Sequence, residues 1–580
     1  MNLVHRIRLA TPASHIVEIE TRVHGAPDES FVAFMPVWTP GSYLVREYAR
    51  HIEALSVDAP ALATKVRKSA WRIDRNGVDD VVIRYRIYAN ELTVRTNHVD
   101  ETHAFLNAAA TLLSIESTQA VPSRVEIEAP AGWRTATALA KEGDNAFSAP
   151  DLDVLVDSPL EIGLHREDRF EAVGKLHRFV SWPATALSDG DAQRLTADMA
   201  AILATEASLF GGTVPYDDYL FILHLSSRGR GGLEHAASAA LIANPTLLAT
   251  RDGYLDLLSL IAHEAFHLWN VKRIRPKGLT PYAYEHESYT RLLWWFEGGT
   301  SYYDWRVLRL TKLCSVAEYL QHLADEVAYV DATHGRLVQS LEDASFDAWI
   351  KLYRPDENSA NSSISYYRKG ELVCALLDLE IRARSKGKAS LDVVLTHLWD
   401  AYGARNVAVP EDGMLDIFER ASGVKLGDRF DAWVRAPGEL DFDATFAHVG
   451  LAVERSARSD SAAPSLQARI RNEAGRAVVA TVTRGGAAQR AGIDPGDEIL
   501  AVGGRRVEGA NLEAALHGHH AAEKIDILVT HDGRTHTKSV TLDPPRLDRV
   551  RFVAKDGATD AQRAGFAAWL GDTHAAWVAT

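Results

Sequence analysis

The hydrophobic period of this chain changes twice, and that restricts it to a succession of differently built domains. Over residues 1 to 168 apolar and polar residues alternate, as in Ile16-Val17-Glu18-Ile19-Glu20-Thr21-Arg22-Val23, Val81-Val82-Ile83-Arg84-Tyr85-Arg86-Ile87-Tyr88 and Arg124-Val125-Glu126-Ile127-Glu128. Period two is the pattern of strands with one buried face. From Asp189 the spacing becomes helical, over 192–210, 255–271, 291–313 and 369–384. A strand-like run over 219–225 interrupts it and opens into the glycine-rich turn Arg228-Gly229-Arg230-Gly231-Gly232. After about Asp441 short strands return. With 580 residues the chain also exceeds the size at which one core stops growing, roughly 250–300 residues. The expected fold class is multidomain α+β: an N-terminal β-sandwich-like domain over 1–168, a mainly helical domain over 169–440, a small C-terminal domain over 441–545, and a tail over 546–580 with a short helix at 560–569.

Composition narrows the function. Lys and Arg number 63 against 78 Asp and Glu, a net charge of −15, whereas neutralising phosphates takes clustered cations. Nucleic acid is therefore not an expected partner. Two cysteines, Cys314 and Cys374, do not make a secreted disulfide framework. The first residues lack the apolar core of a signal peptide, and no run of 18 apolar residues spans a bilayer. The expectation is a cytoplasmic protein with no membrane partner.

The chemistry concentrates in His263-Glu264-Ala265-Phe266-His267. Histidines four apart share one face of a helix and can reach one zinc ion. The surrounding run, 255–271, contains no Gly or Pro and ends in Lys272-Arg273-Ile274-Arg275-Pro276, where cations suit a helix C-terminus. A catalytic zinc needs a third protein ligand. Glu297, a lone acid after Leu292-Leu293-Trp294-Trp295-Phe296, is the best candidate.

Several further strings carry a resemblance. Gly485-Gly486-Ala487-Ala488-Gln489-Arg490-Ala491-Gly492-Ile493-Asp494-Pro495-Gly496-Asp497-Glu498-Ile499-Leu500 resembles the small helix, Pro-Gly turn and strand of a PDZ domain, with Gly450-Leu451-Ala452-Val453 as its carboxylate-binding loop. Trp38-Thr39-Pro40-Gly41-Ser42-Tyr43, Gly231-Gly232-Leu233-Glu234-His235, the run from His263 to Asn270, Glu297-Gly298-Gly299-Thr300-Ser301-Tyr302-Tyr303 and Tyr366-Tyr367-Arg368-Lys369-Gly370 occur in that order. Together they resemble the glycyl aminopeptidase family of gluzincin zinc peptidases. That resemblance implies a thermolysin-like catalytic domain followed by a PDZ domain, with one zinc per chain held by His263, His267 and Glu297. Glu264 would be the general base, and Tyr367, with Tyr366 as the alternative, the oxyanion donor. Gly231, Gly232 and Glu234 would bind substrate, Glu234 through its free α-amino group, although His235 stands where zinc aminopeptidases have Asn. Thermolysin-like enzymes orient a ligand histidine with an Asp four residues after the ligand Glu. That position is Ser301 here, and Asp304, seven residues on, is the substitute.

The implied activity is removal of a small N-terminal residue, glycine or alanine, from peptides with a free N-terminus. The PDZ groove offers a second place for a peptide. Two alternatives remain open at this level: a zinc endopeptidase, and a PDZ scaffold with a vestigial centre.

Overall fold

The computed structural model describes residues 1–26, 28–116, 120–457, 463–509 and 511–574. The chain forms two compact units, one made of Met1–Thr290, Tyr303–Leu313 and Leu395–Glu411, the other of Arg291–Tyr302, Cys314–Val394 and Asp412–Thr580.

In the first unit the alternating segments become strands. A seven-stranded sheet runs in the order Ala140–Gly143, Ala146–Ala149, Ser123–Glu128, Asn2–Arg8, Ile16–His24, Asp80–Tyr88, Ile52–Val57. Along Asn2–Arg8 the inward residues Leu3, His5 and Ile7 are buried, while Arg6 on the other face lies opposite Glu20 and Glu126. Two four-stranded sheets complete the β-rich first domain, one of them ordered Arg134–Ala136, Leu160–Gly163, His103–Leu106, His98–Val99.

A five-stranded sheet follows, ordered Arg166–Ala172, Lys175–Trp182, Asp218–Leu225, Ser238–Ala243, Gly231–Glu234. Its middle strand, Asp218–Leu225, is covered on both faces, as an uninterrupted apolar run requires. Residues Gly231 and Gly232 are not in a turn. They open the edge strand, pairing Gly232 with Leu241 and Glu234 with Ala239.

Helix Asp189–Leu209 starts at Ser188, whose hydroxyl accepts from the Asp191 amide at 3.1 Å. The helix that carries the two histidines, Arg251–Phe266, begins four residues before the sequence expectation because the Thr250 hydroxyl caps the Gly253 amide at 3.1 Å. Its regular part ends before His267. The chain there turns so that the Val271 and Lys272 amides both reach the His267 carbonyl, at 3.2 and 3.0 Å.

In the second unit, Val316–Ala332 is closed by a reciprocal Ser315–Glu318 capping box, and Arg368–Arg384 is buried along most of its length. The helix expected over 291–313 is broken at Glu297 into Leu293–Phe296 and Gly298–Leu310. Gly298, just after the break, is closely packed: a Cβ there would lie 2.6 Å from both the Gly370 Cα and the Tyr366 carbonyl oxygen.

The PDZ strands lie in the order Ala468–Glu473, Arg476–Val482, Glu498–Val502, Lys524–His531, Arg534–Thr541, with helices Ala487–Arg490 and Leu512–Leu516. Val479, Ile499, Val502, Ile527, Val529 and Val540 form its core. The expected carboxylate-binding loop is corrected here. Gly450 ends a short helical turn, and Leu451–Ser456 pairs antiparallel with Arg549–Ala554, outside the PDZ sheet. The cleft beside the PDZ helix is lined instead by residues that include Ser465, Leu466, Ala468, Leu512 and Leu516. Beyond it, helix Asp560–Leu570 returns to the helical part of this unit, where the buried Trp569 indole donates to the Tyr302 hydroxyl at 3.0 Å. No helix among the described residues is long and apolar enough to cross a membrane.

Candidate active site

His263 and His267 stand on one face at the end of their helix, ring centroids 4.6 Å apart and nearly perpendicular. Each has its Nδ1 committed. His263 Nδ1 lies 3.0 Å from Asp304 Oδ2, and His267 Nδ1 lies 2.8 Å from the Asn270 carbonyl oxygen. A carbonyl oxygen and a carboxylate only accept, so both Nδ1 atoms donate and each Nε2 keeps its lone pair. This is the tautomer that ligates zinc, supported by the outer partners that metal-binding histidines have, and the donor set therefore fits that ion. Tyr303, next to Asp304, stacks on Phe266 at 4.9 Å and fixes the same approach.

Glu206, on helix Asp189–Leu209, is buried near this pair. Burial first, and the Asp304 charge second, hold its carboxyl well above the ordinary range, with His263 opposing.

Glu234, Glu264 and His267 each place a donor atom so that all three lie within 4.8 Å of one another, and all three are buried. Glycines make this crowding possible. A Cβ on Gly232 would come 2.1 Å from Glu264 Oε1, and one on Gly41, whose φ is +88°, would come 2.3 Å from Glu234 Oε2. Only glycine meets both demands at position 41. The Trp38-to-Tyr43 string thus brings backbone against the Glu234 carboxylate. The Gly232 carbonyl accepts from Arg95 Nη2 at 2.9 Å.

The departure at His235 also has a physical setting. Its Nδ1 meets Asp157 Oδ1 at 3.2 Å, and Asp157 takes the buried Lys272 ammonium at 2.5 Å and the Ala236 amide at 2.6 Å. Burial would raise the Asp157 pKa, but Lys272 and then His235 hold it below the usual carboxylate range. The sequence reading did not find Gly41's part at Glu234, Arg95, Asp157 or Glu206. Gly41 alone carried a local signal, in its motif string.

In the second unit, Glu297 occupies the break before helix Gly298–Leu310, its carbonyl accepting from the Ser301 amide at 2.8 Å. Tyr367 leads into Arg368–Arg384, and its hydroxyl lies 3.3 Å from that of Tyr353. Burial, then the Glu297 charge, raise the Tyr367 pKa well above its ordinary value, so the hydroxyl keeps its proton. Tyr366 stacks on Tyr367 at 4.7 Å and is fully buried.

Residues 5–164 match the Peptidase M61 N-terminal domain, residues 256–373 the M61 glycyl aminopeptidase, and residues 464–542 a PDZ domain. The chain is a metallopeptidase with M61 and PDZ domains. A solved structure of an aminopeptidase N family protein from Idiomarina loihiensis is 28% identical to this metallopeptidase, with a TM-score of 0.91 over 98% of this chain and 100% of that one. An M1 zinc metallopeptidase from Deinococcus radiodurans aligns over 76% of this chain and 95% of its own at 13% identity and a TM-score of 0.48. No curated protein matches the metallopeptidase. Glu234 lies outside the matched peptidase segment, so its role is argued from geometry.

Proposed function

We propose that this metallopeptidase is a zinc-dependent aminopeptidase that releases a small first residue, glycine or alanine, from peptides with a free amino end. The observation that carries this reading is the grouping of Glu234 with Glu264 and His267 inside 4.8 Å. A catalytic base needs only one carboxylate beside the metal helix, whereas a second buried one suits a substrate cation. Support for a small first residue comes from the crowding at Glu234, where Gly41 stands in van der Waals range of the carboxylate.

His263, His267 and Glu297 would hold the zinc. Asp304, the partner of His263, follows Glu297 by seven residues in the sequence. When bound, the ion would polarise the scissile carbonyl as a Lewis acid. Glu234 receives the α-ammonium and so fixes the bond to be cut one residue from the amino end. Gly231 and Gly232 lie on the outermost strand of their sheet, where an extended peptide adds alongside. Glu264 takes the proton of the attacking water and returns it to the leaving amine. Tyr367 donates its hydroxyl proton in a hydrogen bond to the carbonyl oxygen as negative charge develops there. The PDZ cleft would hold a second peptide segment. Two unbridged, buried thiols, Cys314 and Cys374, suit a reducing cytoplasm.

Glu234→Ala tests the assignment. It should cost about 2–4 kcal/mol in kcat/KM on glycyl or alanyl peptides, the range for stranding one partner of a desolvated ion pair, with metal content unchanged. Undiminished turnover of free-amine substrates would reject Glu234 as the amine anchor.

A further inference from the structure

The hairpin of strands His98–Val99 and His103–Leu106, in the first domain, gathers groups that peptide hydrolysis does not use. His98 is 3% exposed and His103 is fully buried. His98, Asp100 and His103 each offer a donor atom within 4.8 Å of the other two.

The surroundings orient these three groups. Asp100 Oδ1 accepts from the Thr102 amide, the Thr102 hydroxyl and the His103 amide, at 2.8, 2.7 and 3.1 Å. Its Oδ2 faces His98 Nε2 at 3.1 Å. The His103 ring stacks on Trp182 at 3.7 Å, and its Nδ1 lies 3.0 Å from Glu161 Oε1. Glu161 is held in turn by His224 Nε2 at 2.9 Å. Because Glu161 takes the Nδ1 proton of His103, Nε2 is the basic nitrogen of that ring. His103 Nε2 is buried without a hydrogen-bond partner among the described residues, whereas the His98 nitrogen that faces Asp100 is Nε2.

Buried without a partner, His103 Nε2 forfeits its hydration. A cation gives a lone pair its use. Glu161 behind His103 repeats the carboxylate–histidine support of metal ligands. Two imidazoles with one carboxylate suit a zinc-class transition metal rather than calcium or magnesium. We propose that His98, Asp100 and His103 bind a second divalent transition-metal ion, a structural one that ties the hairpin to the strands carrying Glu161 and His224. This inference does not depend on the catalytic reading.

The test is metal stoichiometry in the full chain. His263→Ala with His267→Ala, loaded with zinc and dialysed, should retain about one equivalent by elemental analysis, and with cobalt should show a ligand-field absorption band. Adding His98→Gln and Asp100→Asn should bring both to zero while circular dichroism stays that of a folded chain. Should the quadruple variant not fold, the wild-type count decides: about two equivalents support the site, and one equivalent lost with His263 and His267 overturns it. A folded His263, His267 double variant that binds no metal overturns it as well. Retention of the ion by a folded quadruple variant has the same consequence. If instead the His98, Asp100 changes remove metal and the His263, His267 changes do not, the hairpin site stands and the catalytic assignment falls.

Discussion

Glu206 shows how a single side chain carries a pH dependence. Both of its carboxyl oxygens are buried without a partner among the described residues, and its pKa stands well above the ordinary 4.5. Between that ordinary value and the raised one, the folded chain holds a proton that the unfolded chain has released, so stability falls as pH rises. Glu206→Gln keeps the shape and removes the titration. The variant should gain on the wild type in urea midpoint as pH rises above the ordinary carboxyl range, whereas a constant offset would mean that Glu206 is not titrating there. Tyr367 is the other residue whose role is separable. On the proposed reading it is the oxyanion donor, which acts mainly in the transition state, so Tyr367→Phe should lower kcat by roughly 10²–10³ with little change in KM. Tyr366→Phe should leave kcat nearly intact. The reverse outcome would move the role one residue back.

At the scale of elements, a buried side chain, Asn361, joins the PDZ module to the helical part of its unit. Asn361, in the short helix Ser359–Ser362, donates from Nδ2 to the Val482 carbonyl at 2.7 Å and accepts at Oδ1 from the Arg484 amide at 2.8 Å. Asn361→Ala strands both backbone groups, at a cost of about 1–3 kcal/mol for each one left buried. Hydrogen exchange at the Arg484 amide should speed up by at least about tenfold, 1.4 kcal/mol; unchanged protection would show that the fastening lies elsewhere. The elements themselves were legible wherever local grammar decides them. The Leu255-to-Val271 pattern announced a helix, but its start depended on the Thr250 hydroxyl and its regular end on the turn at His267. The break at Glu297 was not legible, and neither was the close packing of Gly298, just after it, on Gly370, 72 positions away. The strand at Gly450-to-Val453 was misread as a PDZ loop because its partner, Arg549–Ala554, lies about a hundred residues on.

Across the whole molecule, the motif strings single out His263, Glu264, His267, Glu297, Glu234 and Tyr367 as candidates, since each stands in a short string of characteristic residues. What surrounds them was hidden, because Gly41 against Glu234, Arg95 on Gly232 and Asp157 on Lys272 join residues far apart in sequence. On the proposed reading those contacts shape the amino end of the site, where cutting after the first residue and cutting inside a chain part ways. The direct test is the rate at which the zinc-loaded wild type hydrolyses an alanyl or glycyl peptide compared with its N-acetylated form. Acetylation deletes the charge assigned to Glu234 and should lower kcat/KM by about 2–4 kcal/mol, roughly 30- to 1000-fold, with the free peptide losing only its first residue. Equal rates on the two peptides, with cleavage at internal bonds, would make the protein an endopeptidase and contradict the account.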